Sequence, residues 1–368
     1  MKFSCEKEIL LGILGTASRA VTGKSSMPLL EGLLICADAS TLTVTGYDMS
    51  MGIRTTTETD VVEPGSIVIN AKLLLDIVRK LPNDVVYIET DDKLMTTVKC
   101  GRAVFNLAAT EADEFPALAE VSSATGFSLP QNILKSMISQ TIFSVSDNES
   151  KPIHTGCLFE LDGSRLNVAA VDGYRLSVRR ETIEGMSGEM KFVVPGASLR
   201  EIERILGEDD EPVEIFPDQK NILFRIGGTT LITRLIEGEF LNYRNVIPAD
   251  SRTRVTIDTK EFIETIERAS LIITERLKNP LRISFTEGRV VVRCQTNLGR
   301  VVDEFNADCE GDEVEIGFNN RYLLDALRNA RTEKVRMEIS GPLSPVKVLP
   351  AEGNDFLYLV LPVRFKND

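Results

Sequence analysis

Histidine, tryptophan and closely spaced cysteine pairs are what this sequence lacks or nearly lacks. It has one histidine, His154, and no tryptophan among its 368 residues. A single histidine excludes metal sites built from several histidines, and it leaves one position for the usual histidine-based acid/base pair. The six cysteines are scattered without a Cys-x-x-Cys pair. This pattern is typical of small core residues in a reducing compartment.

Membrane and secretion signals are also missing. No apolar run is long enough to span a membrane, and the first six residues lack the charged-then-apolar pattern of a signal peptide. We therefore expect a cytoplasmic protein with no membrane partner. The net charge is −13, whereas proteins that grip nucleic-acid phosphates are usually basic. A DNA partner would require positive charge confined to one surface, or a way of holding DNA other than attraction.

Known catalytic motifs are absent as well. Gly23-Lys24-Ser25 resembles the end of a phosphate-binding loop, but Ser18 stands where that pattern needs glycine, and the segment before it reads as helix rather than strand. No Gly-x-Ser-x-Gly elbow occurs. We predict no catalytic residue, no cofactor and no metal ion, hence a protein that is not an enzyme. A nucleotide hydrolase that uses Lys24 is the alternative.

What the sequence does contain is an internal repeat of roughly 120 residues, far longer than the units of solenoid proteins. Three signals recur in the same order: a strand before an amphipathic helix, an alternating strand, and an apolar strand before a second helix. The first signal begins at Phe3, Phe127 and Val255; the second covers 42–45, 166–169 and 290–292; the third begins at Ile67, Phe192 and Val314. The repeat predicts an α+β fold of three domains, 1–124, 125–251 and 252–368, each with two helices on one face of antiparallel sheets.

Basic residues recur on the second helix of each repeat, away from its apolar stripe. They are Lys72, Arg79 and Lys80, then Arg200 and Arg204, then Arg321, Arg328 and Arg331. For any one helix, a solvated face explains such charges. Their threefold recurrence predicts a locally basic surface that contacts phosphates without reading bases.

Several segments resemble the bacterial DNA sliding clamp, the beta subunit of the replicative DNA polymerase III holoenzyme. They are 1–3, 28–32, 168–176 (VAAVDGYRL), 235–244 (LIEGEFLNYR) and 359–364 (LVLPVR). The resemblance covers essentially the whole chain in register with the triple repeat. It implies a non-catalytic processivity factor: a head-to-tail homodimer whose two chains form a pseudo-sixfold ring around double-stranded DNA, independent of sequence.

The resemblance also implies the contacts within that ring. Phe105 and Leu107 of one chain would meet Leu271 and Ile272 of the other; the alternative is that all four are plain core residues. Lys24, Lys72, Asn148 and Lys151 would face DNA. A monomeric interaction scaffold without a DNA role is the alternative for the whole chain.

Finally, the resemblance implies a groove for a short peptide that carries a leucine followed by an aromatic or apolar residue. The replicative polymerase, the clamp loader and other proteins with this peptide would be its partners. The groove residues would be His154, Val171, Gly173, Tyr174, Leu176, Leu241, Asn245, Val246, Leu359, Leu361, Pro362, Val363 and Arg364. The alternative is that they complete the last strand and its core. The chain departs from the family pattern at His154, Leu241 and Gly196, which are usually aliphatic, proline and basic.

Overall fold

The computed structural model describes residues 1–121, 126–184, 188–274 and 280–365. Its α-helices are α1 (Lys7–Ala17), α2 (Ala71–Lys80), α3 (Gln131–Ser139), α4 (Gly196–Ile205), α5 (Thr259–Ser270) and α6 (Asn320–Ala330). Each repeat therefore contributes two helices, as predicted. No helix in these described ranges is long and apolar enough to cross a membrane.

Side-chain caps fix where several helices begin. The carboxamide oxygen of Asn70 accepts the backbone N–H of Leu73 at 3.0 Å at the start of α2. Asp258 caps α5, and Asn319 caps α6 in the same way. A cap satisfies one of the backbone donors that the first turn of a helix leaves unpaired. The second helices of the first and third repeats thus start at the same place, directly after a strand.

Residues 1–135 and 200–235 form one compact unit, here called unit 1. All strand pairs in it are antiparallel, and the described residues form two sheets. The smaller sheet has the order β5 (Asp60–Glu63), β1 (Lys2–Glu6), β7 (Val85–Thr90), β8 (Met95–Cys100), β9 (Ala103–Ala108). The larger sheet has the order β10 (Thr110–Glu111), β6 (Gly65–Asn70), β2 (Gly32–Asp38), β3 (Thr41–Tyr47), β4 (Met51–Glu58), β18 (Thr229–Arg234), β17 (Asn221–Ile226), β16 (Pro212–Pro217), β11 (Phe127–Pro130).

Residues 136–199 and 236–368 form the second compact unit, unit 2. Its larger sheet has the order β15 (Glu189–Pro195), β12 (Gly156–Asp162), β13 (Arg165–Val171), β14 (Arg175–Thr182), β27 (Phe356–Val360), β26 (Val346–Pro350), β25 (Lys334–Ile339), β19 (Thr253–Asp258), β23 (Asp308–Gly311). Its smaller sheet has the order β22 (Gly299–Asn306), β21 (Arg289–Thr296), β20 (Leu281–Thr286), β24 (Val314–Phe318). The alternating strands predicted at 42–45, 166–169 and 290–292 are β3, β13 and β21.

Each larger sheet joins strands of two repeats. In unit 1, β4 of the first repeat pairs with β18 of the middle repeat, with Ile53 opposite Leu231. In unit 2, β14 of the middle repeat pairs with β27 of the third, with Ser177 opposite Tyr358. All four side chains are buried. Contacts therefore divide the middle repeat between the two units, and the three-domain boundaries stay a prediction.

The segment around Lys24 does not have the structure of a phosphate-binding loop. It follows α1 and a 3-10 turn at Ser18–Ala20, and the next element is the 3-10 turn Pro28–Glu31. A phosphate-binding loop runs from a strand into a helix whose N-terminus faces the phosphate. The nucleotide-site alternative at Lys24 therefore loses its structural basis.

Candidate functional site

The turn between β13 and β14 positions several of the predicted groove residues. The Oδ1 atom of Asp172 accepts the backbone N–H groups of Tyr174 at 2.9 Å and Arg175 at 3.1 Å. Gly173 has a φ of +93°, in the left-handed region that favours glycine. The turn leaves the Tyr174 side chain 60% exposed. An aromatic ring that stands out from a fixed turn is a common feature of protein-binding surfaces.

Arg175 fastens this turn to α6, a role that the sequence reasoning missed. Its Nε donates to Asp172 at 2.9 Å, and its Nη1 donates to Asp325. Its guanidinium also lies 4.7 Å from the centre of the Tyr322 ring, and that ring stacks on Tyr174 at 5.7 Å. Burial raises the pKa of Tyr322, and the nearby Asp172 charge adds to this effect. In the sequence Tyr322 looks like part of the apolar stripe of α6, so no signal separates it from core residues.

Three of the predicted groove residues form the base of the site. Val171, Leu176 and Leu359 are buried in one apolar cluster with Phe240 and Tyr243. Leu176 lies opposite Leu359 in the β14–β27 pair. At these three positions the side chains are buried in the core, as the core-packing alternative expects. They are available to a ligand only where the cluster meets the surface.

The exposed part of the candidate groove is mostly apolar. The side chains of Tyr174, Leu241, Val246, Leu361 and Val363 are all exposed. Pro362 is half-buried, and Asn245 and Arg364 are exposed. Exposed apolar side chains that occur singly are normal, but a set that borders one buried cluster marks an interaction surface.

The segment after β27 is held in place by contacts at both ends. The Leu361 N–H donates to the Tyr174 carbonyl at 3.0 Å, and the Val363 N–H donates to the Gly317 carbonyl at 2.8 Å. The guanidinium of Arg282 lies 4.1 Å from the centre of the Phe365 ring. Leu361 and Val363 are therefore presented by a fixed backbone.

An ion pair between the exposed Arg244 and the half-buried Glu160 positions the segment that carries Leu241, Asn245 and Val246. Both guanidinium nitrogens of Arg244 donate to the carboxylate of Glu160, at 3.1 and 2.6 Å, and Tyr243 Oη donates to it at 3.0 Å. Burial alone would raise the pKa of Glu160, but the hydrogen bonds from Arg244 and Tyr243 outweigh it and hold the pKa below its usual range. Burial, together with the Glu160 charge, raises the pKa of Tyr243 to about 12. The sequence reasoning assigned no role to Glu160 or Arg244.

His154 lies in the 3-10 turn Pro152–Thr155, next to the same apolar cluster. Its ring makes an edge contact with Phe240 at 6.0 Å. Burial, helped by the Lys151 charge, lowers its pKa below the usual value. The burial that lowers the pKa favours the neutral imidazole, whose ring packs against Phe240.

The predicted DNA-facing residues are all exposed. Lys24, Lys72, Asn148 and Lys151 lie at the surface, and so do the eight basic residues predicted on the second helices. Asn148 and Lys151 lie in the short segment that leads to His154. The Lys151 carbonyl accepts the His154 N–H at 3.0 Å. Three of the eight basic residues are neutralised locally, Arg79 by Asp76, Arg204 by Glu201 and Arg328 by Glu267.

The four predicted interface residues differ in exposure. Leu271 is 82% exposed just after α5, and Phe105 is exposed on β9. Ile272 is partly buried against the core of the third repeat. Leu107 is buried in the core of the first repeat. Phe105 and Leu271 therefore offer the surface for a subunit contact, and Leu107 offers little.

No group of three or more His, Cys, Asp or Glu side chains in the described ranges is arranged to hold a metal ion. The one perturbed histidine is turned toward an apolar ring, and the carboxylates with lowered pKa values are engaged by arginine or lysine. The candidate site is thus a largely apolar surface whose surrounding backbone is held by ion pairs.

Comparison with known proteins gives one consistent result. Family models described as the N-terminal, central and C-terminal domains of the DNA polymerase III beta subunit match residues 1–119, 128–242 and 244–364. A beta sliding clamp of Halalkalibacterium halodurans is 33% identical, over 99% of this chain and 100% of its own length. The crystal structure of a Bacillus subtilis sliding clamp is similar with a TM-score of 0.96 at 31% identity, covering both chains fully. That of a DNA polymerase III beta subunit from Eubacterium rectale gives 0.94 at 36% identity, with 99% of both chains covered.

The turn at Gly173 allows a direct test by substitution. A Gly173→Ala variant should lower the free energy of unfolding by about 1 kcal/mol, because a side chain disfavours the left-handed conformation. Nothing lies within 4 Å of the added methyl group, so the cost is that of the backbone alone. Denaturant titration measures the change.

The matched control is Gly12→Ala, which also adds a methyl group in open space but within α1. There alanine should stabilise the protein by about 0.5–1 kcal/mol. Equal effects of the two substitutions would show that the turn is not under the conformational constraint described here.

Proposed function

The chain belongs to the DNA polymerase III beta subunit family, the bacterial sliding clamps, and we propose from that premise how it works. It is a DNA sliding clamp, a processivity factor that keeps the polymerase on its template. Two chains close head to tail around double-stranded DNA, in the cytoplasm, and the ring itself catalyses no reaction. Tethering raises the effective concentration of a polymerase at the DNA without any new contact to the bases.

The observation that carries this proposal is a pair of free sheet edges. Among the described residues, the smaller sheets have five and four strands, and each larger sheet has nine. Each larger sheet combines five strands of one repeat with four strands of the middle repeat. The five-stranded sheet of unit 1 ends at β9, and the four-stranded sheet of unit 2 ends at β22. Pairing β9 of one chain with β22 of another would make a third kind of nine-stranded sheet.

The register of the internal joints predicts the register of this joint. Phe105 of β9 corresponds to Leu231 of β18, because Phe105 pairs with Val98 just as Leu231 pairs with Phe224. Val301 of β22 corresponds to Ile53 of β4, because Val301 pairs with Cys294 just as Ile53 pairs with Gly46. Because Ile53 lies opposite Leu231, Phe105 would lie opposite Val301 of the partner subunit. The internal pair is fully buried, whereas Phe105 is exposed. Burying such apolar positions and pairing two free edges stabilises a dimer.

Leu271 supports the same interface. Arg268 near the end of α5 donates to Asp303 of β22 at 2.7 Å, so the exposed Leu271 lies beside this edge. An interface formed by different surfaces of the two chains is heterologous, and it closes into a ring when the rotation between subunits permits. The domain boundaries 1–124, 125–251 and 252–368 would then mark six similar modules around the DNA.

DNA would be held by enclosure more than by attraction. The exposed cations Lys24, Lys72 and Lys151, together with Asn148, would face the duplex. A chain with a net charge of −13 repels DNA elsewhere. A lining with few firm phosphate contacts lets the ring slide.

The partner site would be the apolar surface built on the β13–β14 turn. Tyr174, Leu361 and Val363 supply exposed apolar side chains on fixed backbone. A leucine of the partner peptide would pack toward Val171 and Leu176, and His154, Leu241 and Val246 would surround it. Proposed partners are the replicative polymerase, an ATP-using clamp loader and other proteins with the same short peptide. Leu359, Gly173, Asn245, Pro362 and Arg364 complete the proposed groove.

The encircling mechanism is tested by retention on DNA. After loading by a bacterial clamp loader onto nicked circular DNA and a high-salt wash, the protein should stay on the circles and leave once they are linearised. Contacts to phosphates alone weaken steeply with salt. Loss of the protein in the salt wash, or retention after linearisation, would contradict enclosure.

The subunit interface is tested by Phe105→Ala combined with Leu271→Ala. The doubly substituted chain should dissociate to monomers at micromolar concentration in sedimentation equilibrium, because truncating two apolar residues at the centre of an interface costs about 2 kcal/mol or more. The matched control is Val62→Ala, an exposed residue on β5 at the opposite edge of the same sheet. A stable dimer in the double variant would place the interface elsewhere.

The groove is tested with a fluorescent peptide that contains leucine followed by phenylalanine. Leu361→Ala with Val363→Ala should weaken binding about tenfold or more in fluorescence polarisation, which corresponds to about 1.4 kcal/mol. Val62→Ala again serves as a control that leaves the affinity unchanged. Unchanged affinity in the double variant would rule out the segment after β27 as the binding surface.

A further inference from the structure

Unit 2 contains a pocket of about 370 Å³ at the end of the β14–β27 pair that is remote from the candidate groove. The groove begins beyond Tyr174 and Leu361, whereas the pocket is lined by Arg180 of β14 and by Asn354 and Asp355, which precede β27. The two ends of β14 lie about 17 Å apart, because a strand rises about 3.4 Å per residue. A ligand in this pocket would therefore leave the groove free.

Arg180 is a half-buried cation that lines this pocket. Its Nη1 donates to the Asn354 carbonyl at 2.8 Å, and its backbone N–H donates to the Asp355 carbonyl at 2.7 Å. No carboxylate in the described ranges forms an ion pair with it. A guanidinium has five N–H donors, and taking its charge out of water without a partner costs free energy. An anion in the pocket would supply the missing partner.

The charges around Arg180 also favour an anion. Burial lowers the pKa of Arg180, and the nearby charges of Arg165 and Arg244 lower it further, while those of Tyr243 and Asp355 act in the opposite direction. The net effect is a lowered pKa, so the surroundings disfavour the positive charge that arginine nevertheless keeps at neutral pH. A negative group bound beside it would relieve this repulsion.

Arg165 supplies a second guanidinium to the pocket. It is exposed on β13, and it forms neither a hydrogen bond nor an ion pair with any residue that the structure describes. Thr182, opposite Arg165 in the β13–β14 pair, adds an exposed hydroxyl group. Two acidic residues also line the pocket, but Arg179 engages the Glu181 carboxylate at 2.9 Å, and Asp355 is exposed. Three arginines against two carboxylates leave an excess of positive charge.

The floor of the pocket is apolar. Leu349 of β26 and Leu357 of β27 line it and are otherwise buried. The volume of about 370 Å³ falls in the range of roughly 300–1,000 Å³ that is usual for small-molecule sites, so there is room for more than an inorganic ion. Guanidinium groups match phosphate and carboxylate oxygens in pairs. Two of them suit the charge of about −1.5 to −2 that a phosphate monoester carries at pH 7.

We propose that this pocket binds a phosphate monoester of a small molecule, with Arg165 and Arg180 on the phosphate oxygens and an apolar part of the ligand over Leu349 and Leu357. None of these four residues takes part in the proposed DNA, subunit or peptide contacts. The apolar floor and the half-buried arginine distinguish the pocket from exposed lysines that touch a phosphate backbone in passing.

The test uses the full-length protein with leucine methyl groups isotopically labelled for NMR, and the probe is phenyl phosphate. It should cause saturable shifts of the Leu349 and Leu357 signals. Phenylacetate keeps the ring but carries a single negative charge, and inorganic phosphate lacks the ring. Each should bind at least about tenfold more weakly than phenyl phosphate, because one loses charge-assisted hydrogen bonds and the other loses apolar contact.

Arg165→Gln removes one guanidinium from the pocket. Affinity for phenyl phosphate should fall at least about tenfold, with an unchanged denaturation midpoint, because this exposed side chain has no partner among the described residues. Arg180→Gln should weaken binding as well, and Arg165→Gln keeps the test valid if Arg180→Gln unfolds. The matched control is Arg225→Gln, an exposed arginine on a strand of unit 1, which should leave the affinity unchanged.

The Leu361 methyl signals report on the candidate groove in the same spectra. Saturable shifts at Leu349 and Leu357 without any at Leu361 would support a separate site. Shifts at Leu361 alone, or no saturable shift at all, would overturn the proposal. So would equal binding of phenylacetate, or an equal loss of affinity in Arg165→Gln and Arg225→Gln, since the latter would reduce the effect to overall charge.

Discussion

Pairing of strand edges between repeats is the constraint on which the rest of this structure depends. An unpaired edge exposes a row of backbone donors and acceptors, and a protein must pair, cover or shorten it. Here β4 is paired by β18 and β14 by β27, so the middle repeat completes a sheet in each unit. Two of the strands that end a sheet in a single chain, β9 and β22, occupy the places in the repeat that β18 and β4 occupy where they pair with each other. The proposed homodimer follows from this arrangement, because each of these two edges would find its complement on another copy.

The candidate groove arises from the same joint. Strand pairing between β14 and β27 ends at Tyr174 and Leu361, and the side chains beyond it no longer have a facing strand to cover them. The underlying cluster with Leu176 and Leu359 stays buried. The ion pair of Arg244 with Glu160 and that of Arg175 with Asp172 hold the surrounding backbone. A surface that is apolar, exposed and rigid loses little conformational entropy when a peptide binds.

Periodicity in the sequence was sufficient for the elements of the fold. The strands at 42–45, 166–169 and 290–292 and the two helices of each repeat were all predicted from apolar spacing. The spacing of apolar residues carries no information on which strands pair across repeats. The division of the middle repeat between two units was therefore not predicted. For the site, resemblance supplied residues that periodicity could not single out. The ion pairs of Arg175 and Glu160 were missed because charged residues on strands look alike until tertiary contacts are known. Leu107 is buried in the core of the first repeat. Alternation along an edge strand does not by itself distinguish such a core residue from one that a partner subunit covers.

The joint between β4 and β18 also has a consequence for synthesis of the protein. Thr55 and Thr229, whose hydroxyl groups are 3.2 Å apart across this joint, are separated by 174 residues of chain. During translation, the first repeat leaves the ribosome with the edge of β4 uncovered until β18 has emerged, several seconds or more later at about 5–20 residues per second. Non-local strand pairing of this kind slows folding and exposes apolar edges meanwhile. The nascent clamp is therefore a candidate substrate for chaperones, and the order of its repeats sets the time during which it needs them.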